Sequence, residues 1–97
     1  MPRSRLFVCY DVADSKRLRR MHRLLRGFGD ALQYSVFACD LSPKERVLLE
    51  MSIVDIINER EDRVMILDGG PAEGRGAEAV RVFGRQEMPE TRQAVIV

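Results

Sequence analysis

The 97-residue chain contains no tryptophan, a single histidine and only two cysteines, and each scarcity removes a class of chemistry. Cys9 and Cys39 are not spaced as C-x-x-C, and no second pair exists to complete a structural zinc site. Both fall in strand-like runs, where a reduced thiol behaves as a small buried hydrophobe. One histidine excludes an H-x-x-H metal motif, and no D-x-D pair offers a two-metal site. No Gly-Lys-Ser/Thr follows the glycine-rich stretch at 69–76, which excludes a phosphate-binding loop. No apolar run approaches the roughly 20 residues that cross a bilayer. The run at 6–10 is interrupted by Asp11 and is too short for the apolar region of a signal peptide. A cytoplasmic protein with no membrane partner is expected.

What the chain does hold suffices for one domain. Hydrophobic residues make up 45% and charged residues 32%, the balance of a globular protein and not of a disordered or fibrous one. A chain of this size builds one two-layer core, so residues 1–97 are read as a single domain, with 1–83 as the core and 84–97 as a connector and last strand. The net charge is only +1. Yet the first 30 residues carry Arg3, Arg5, Lys16, Arg17, Arg19, Arg20, Arg23 and Arg26 against Asp11, Asp14 and Asp30. This local excess suits a polyanionic partner, because the field that matters is local.

The first strand is predicted over 5–12, an apolar run of Leu6, Phe7, Val8, Cys9 and Tyr10 that ends on Asp11. A strand interior rarely keeps a bare carboxylate, whereas a strand end can present one to a cleft or a metal. Asp11 is therefore the first candidate site residue; the plainer reading is a carboxylate that caps the turn or neutralises nearby arginines. Asp14 reads as the N-cap of a helix over 15–28 that Gly27 and Gly29 end. Leu18, Met21, Leu24, Leu25 and Phe28 form its core stripe. Lys16, Arg17, Arg19, Arg20, Arg23 and Arg26 cover the rest without acidic partners inside the helix, so they repel one another until an anion relieves them. His22, in the same helix, reads as a surface or packing residue, with phosphate contact as the alternative.

Residues 32–41 supply one strand, or two short ones joined by a tight bend. Ser42, Pro43 and Glu45 then mark a helix start with a capping box. This second helix is predicted to run to about 58, and its broad apolar set, including Val47, Leu48, Met51 and Val54, suggests a sheet beneath and a neighbour beside it. A strand over 63–67, a mobile glycine-rich loop over 69–76, a hairpin partner strand over 79–83 and an apolar tetrapeptide at 94–97 follow. The last of these needs an edge to pair with, which a second subunit supplies. The expected fold is α+β: a ferredoxin-like βαββαβ sandwich with an additional C-terminal strand, its antiparallel sheet carrying both helices on one face.

Tyr10-Asp11-Val12, the basic cluster from Lys16 to Arg20, Gln33-Tyr34-Ser35-Val36-Phe37 and Leu41-Ser42-Pro43 together resemble the CRISPR-associated protein two family, the small adaptation protein also called CRISPR-associated endoribonuclease. The resemblance covers about the first two-thirds of the chain. It implies a homodimer that works with the CRISPR integrase, CRISPR-associated protein one, in acquiring new spacers for antiviral defence. It also implies a magnesium-dependent nuclease acting on single-stranded RNA or double-stranded DNA. Asp11 would then be the catalytic metal ligand, near its symmetry mate across the dimer, with Tyr10, Ser35 and Phe37 close to the site and the terminal strand packed on the other subunit. Read as residues alone, Tyr10, Ser35 and Phe37 are packing positions.

Magnesium accepts one or two carboxylates plus a substrate phosphate, so two Asp11 side chains across an axis could hold one ion. Lys16, Arg17, Arg19, Arg20 and Arg23 are the nucleic-acid-binding candidates; such phosphate contacts give affinity without sequence reading. The remaining alternative is a ferredoxin-like toxin ribonuclease or regulatory module unrelated to CRISPR, since this fold hosts many functions.

Overall fold

The computed structural model describes residues 2–86; the expected terminal strand at 94–97 lies outside the described residues. In chain order the elements are β1 (Ser4–Asp11), α1 (Ser15–Arg26), β2 (Asp30–Gln33), β3 (Val36–Leu41), α2 (Pro43–Ile56) and β4 (Arg63–Pro71), followed by a single 3-10 turn at Arg75–Glu78. The strands form one antiparallel sheet in the order β2-β3-β1-β4. Each helix thus carries the chain across one intervening strand, which is the ferredoxin-like arrangement.

Strand alternation decides which face meets the helices. Leu6, Val8 and Tyr10 of β1 and Phe37, Cys39 and Leu41 of β3 point inward. They meet Met21 and Leu25 of α1 and Leu49 and Ile53 of α2 in one core, with Val64 and Ile66 of β4 packed against it. Both helices start where their caps predict. The Asp14 carboxylate accepts the Arg17 N–H at 3.0 Å. Ser42 and Glu45 complete the capping box, with Ser42 Oγ accepting the Glu45 N–H at 3.2 Å and Glu45 Oε1 accepting the Ser42 N–H at 2.9 Å.

The glycine after α1 is there for space. A Cβ on Gly29 would lie 2.1 Å from the Ala38 carbonyl oxygen and 2.7 Å from Cys39 Sγ, so only glycine lets the chain enter β2 this close to β3.

The 32–41 run takes the two-strand alternative, β2 and β3 joined at Tyr34 and Ser35, with β2 beginning two residues earlier, at Asp30. Three expectations are corrected. The glycines at 69 and 70 belong to β4 instead of a mobile loop, because they serve close packing. A Cβ on Gly69 would sit 2.8 Å from the Phe7 ring, and Gly70 has a φ of 91° beneath the Arg75 guanidinium. Residues 79–83 are not a strand. The 3-10 turn redirects the chain over the outer face of the sheet, where Val80, Val82 and Phe83, all still exposed, join Phe7, Cys9 and Leu67 in lining a groove of about 730 Å³. Finally, α2 buries only Leu49 and Ile53, and Val47, Leu48, Met51 and Val54 remain half or more exposed along its outer side.

Candidate metal and nucleic-acid site

Asp11 closes β1 on the outer face of the sheet. The alternation that buries Leu6, Val8 and Tyr10 leaves Arg5, Phe7, Cys9 and Asp11 on the other side. Its carboxylate is exposed and makes no hydrogen bond or ion pair among the described residues. Arg63, the first residue of β4, stands opposite it in the antiparallel register and is also exposed.

Such a carboxylate keeps its lone pairs available to a cation. Among the described residues, however, no group of three His, Cys, Asp or Glu side chains is arranged to hold a metal. One chain therefore offers magnesium one carboxylate, and the donor set fits the ion when a second copy brings another; several waters and a substrate phosphate would fill the remaining positions.

Tyr10 and Phe37 lie on the helix side of the sheet, away from that carboxylate. The Tyr10 phenol donates to the Tyr34 carbonyl at 2.7 Å and lies 3.1 Å from His22 Nδ1. A phenol has one proton; with that proton given to the carbonyl, the imidazole N–H is the donor in the second contact. Burial pushes the Tyr10 hydroxyl up to about 12, so it stays neutral. Phe37 is fully buried, edge-on to His22 at 5.3 Å between ring centroids and tilted against Tyr10 at 6.3 Å. The phosphate-contact reading of His22 is thereby overturned: the residue is 4% exposed and packs behind the sheet. Ser35 is exposed in the β2–β3 turn, and its carbonyl receives the Tyr10 N–H at 3.1 Å.

The basic helix divides into two parts. Lys16, Arg20 and Arg23 are exposed and spaced i, i+4, i+7, so they share one side over about 10 Å. Arg26 is exposed in the last turn and Arg19 is partly buried.

Arg17 is different, because its partners come from far along the chain. Its guanidinium donates through Nε to Asp62 Oδ2 at 2.7 Å, through one terminal nitrogen to Asp62 Oδ1 at 3.1 Å, and through the same nitrogen to Glu61 Oε1 at 2.9 Å. The Asp62 side chain has no exposure to solvent. It also accepts the Ala13 N–H at 2.9 Å and the Asn58 N–H at 2.8 Å. The Arg17 guanidinium and these two amides hold its carboxyl well below the usual carboxylate range, and the pair in turn holds Arg17 firmly protonated. Arg17 is thus committed within the fold, whereas sequence reasoning grouped it with the nucleic-acid contacts. Asp62 escaped notice altogether; the one cue was the carboxylate pair Glu61-Asp62 just ahead of a strand.

Only Cys39 is the expected buried hydrophobe; Cys9 is half-buried on the outer face of the sheet. Both are free, Cys39 lies in the core, and burial pushes its thiol up to about 11. No helix among the described residues is long and apolar enough to cross a membrane.

The chain is similar to known proteins over most of its length. Residues 4–72 match the family model for CRISPR associated protein Cas2. The chain is 43% identical over 90 residues to the CRISPR-associated endoribonuclease Cas2 of Geobacter sulfurreducens, covering 93% of this chain and 94% of that protein. It is 37% identical over 90 residues to the CRISPR-associated endoribonuclease Cas2 1 of Rhodospirillum rubrum, covering 93% and 87%. The crystal structure of Streptococcus pyogenes Cas2 at pH 6.5 superposes with a TM-score of 0.72 at 29% identity, over 82% of this chain and 99% of that one. With the family model matched over residues 4–72 and a relative 43% identical over 93% of this chain, the chain belongs to the CRISPR-associated Cas2 family.

Proposed function

We propose that this protein works as a homodimer that binds nucleic acid during acquisition of new CRISPR spacers, bridging subunits of the CRISPR integrase, and that Asp11 is the catalytic and metal-binding residue of a magnesium-dependent endonuclease. The observation that carries the catalytic part is the exposed Asp11 carboxylate, uncommitted among the described residues, on the rim of an apolar sheet face. A second copy seated on that face would cover Phe7, Cys9, Met65 and Leu67 and bring a second Asp11 to the first. The exposed side of α2, with Val47, Leu48, Met51 and Val54, leaves a separate apolar surface for a different protein, as a bridging role requires.

Asp11 and its copy in a second chain would hold magnesium, which when bound would polarise the scissile phosphate and make an attacking water more acidic. This chain's own residues hold the strand end in place and bring the polyanion to it. Lys16, Arg20 and Arg23, flanked by Arg19, offer phosphate contacts that set register on the duplex without reading bases. Single-stranded RNA and double-stranded DNA both carry the phosphodiester that this site would attack. The free cysteines support a cytoplasmic, reducing setting. Family membership favours this reading over a toxin or regulatory module unrelated to CRISPR.

The test is cleavage of labelled single-stranded RNA and duplex DNA with magnesium or with chelator, comparing wild type with Asp11→Asn after matched purification. Cleavage that needs both magnesium and Asp11 supports the nuclease. Equal cleavage by the two proteins, or none by either, removes the catalytic role and leaves the nucleic-acid-binding bridge, which steep salt-dependent duplex binding would support.

A further inference from the structure

Asp62 occupies a position that its distance from Asp11 in sequence conceals. Its carboxylate has no exposure to solvent, and four N–H groups from three separate segments converge on it. Ala13 lies in the connection between β1 and α1, Arg17 in the first turn of α1, and Asn58 in the connection after α2. All three meet at the end of the sheet where Asp11 stands. Asp62 itself directly precedes Arg63, the residue opposite Asp11.

We infer that Asp62 is a positioning residue for the Asp11 site, acting through Ala13 and Arg17, and that this inference rests on the catalytic reading of Asp11 given above. Asp11 is bracketed on both sides. On one side Tyr10 is fixed by its phenol and by its N–H to the Ser35 carbonyl; on the other, Ala13 is fixed by its N–H to Asp62. The Asp11 carboxylate keeps its lone pairs for a ligand while the backbone that carries it is immobilised by its neighbours. A metal ligand gains affinity and turnover when supporting contacts fix it in this way, and loses them when those contacts go. The same arrangement withholds Arg17 from the phosphate-binding side of α1, so Asp62 also divides the basic helix into a structural part and a binding part.

The test compares wild type with Asp62→Asn, which is nearly isosteric, and Arg17→Lys, which keeps the charge but not the guanidinium fork. Three quantities are read: magnesium-dependent cleavage split into kcat and KM, manganese affinity at Asp11, and amide exchange at Ala13 against core amides such as Leu6 and Val8. Asp62→Asn places an amide NH2 where an oxygen accepted N–H groups. It is expected to lower kcat and manganese affinity by roughly 10- to 100-fold, to leave KM within about threefold, and to speed exchange at Ala13 selectively. Arg17→Lys keeps one charged contact and is expected to fall between. Faster exchange at Ala13 with unchanged turnover and manganese affinity would overturn the inference. So would uniform loss of protection across the core in both variants, which would mark Asp62 as a general structural residue. Should wild type cleave nothing, the nuclease reading fails by itself, and manganese affinity with Ala13 exchange still decides the role of Asp62.

Discussion

Tyr10→Phe separates packing from chemistry at the residue beside Asp11. The substitution keeps the ring against Phe37 and opens no cavity, so only the hydroxyl's hydrogen bonds are lost. These are the donation to the Tyr34 carbonyl at 2.7 Å and the contact with His22 Nδ1 at 3.1 Å. With the phenol 5% exposed, water cannot readily replace it. Leaving buried partners unmatched costs about 1–3 kcal/mol, and a domain of this size loses about 4–8 °C in Tm per kcal/mol, so a fall of about 5–20 °C is expected at pH 7. Thermal melts followed by circular dichroism measure it, with Ser35→Ala, an exposed turn residue, as a control expected to melt like wild type. The sign at high pH follows from the raised ionisation of the buried phenol. The unfolded chain releases this proton near the ordinary phenol value of 10.0, but the folded one retains it to about 12. Stability from this group is therefore fully present below pH 10 and lost as pH rises toward 12, and Tyr10→Phe removes that part of the alkaline decline. A variant that melts like wild type yet loses magnesium-dependent cleavage would refute the reasoning, because it would place the hydroxyl on the substrate.

Three further outcomes are expected. Gly29→Ala forces a Cβ to 2.1 Å from the Ala38 oxygen, and chemical denaturation should show a loss of about 1–3 kcal/mol from the strain. Because the Asp62 carboxyl is held below its ordinary 3.8, its contribution is present above about pH 4 and lost as pH falls below it; urea midpoints from pH 6 to pH 2 should decline more steeply for wild type than for Asp62→Asn. Replacing Lys16, Arg20 and Arg23 together with alanine should reduce the slope of log K against log salt for duplex DNA by about 2–3, whereas Arg17→Lys should leave that slope unchanged.

Local signals were legible in the sequence, and long-range ones were not. Asp14 and Ser42 announce their helices because a cap and the N–H it accepts lie within three residues. Asp11 stood out because an apolar strand ending on a carboxylate is itself a local oddity. The sequence leaves open whether a β2–β3 turn exists, because Tyr34 and Ser35 carry none of the Asn-Gly chemistry that marks a tight hairpin. The 79–83 run has strand propensity, but the 3-10 turn at 75–78 carries it away from the edge of β4, a redirection set by packing that local propensity does not encode. The commitment of Arg17 could not be read either, since its partner lies 45 residues away. Tyr10 and Phe37 were placed near the site by resemblance; alternation along their strands turns them inward, where they hold the site from behind.

The central claim, that two chains share one ion between their Asp11 side chains, is tested most directly by titrating manganese into isotope-labelled protein and following paramagnetic broadening. The expected result is broadening centred on Asp11 and Arg63 that saturates at one ion per two chains and is absent in Asp11→Asn. Saturation at one ion per chain, broadening centred elsewhere, or an unchanged response in Asp11→Asn would contradict it.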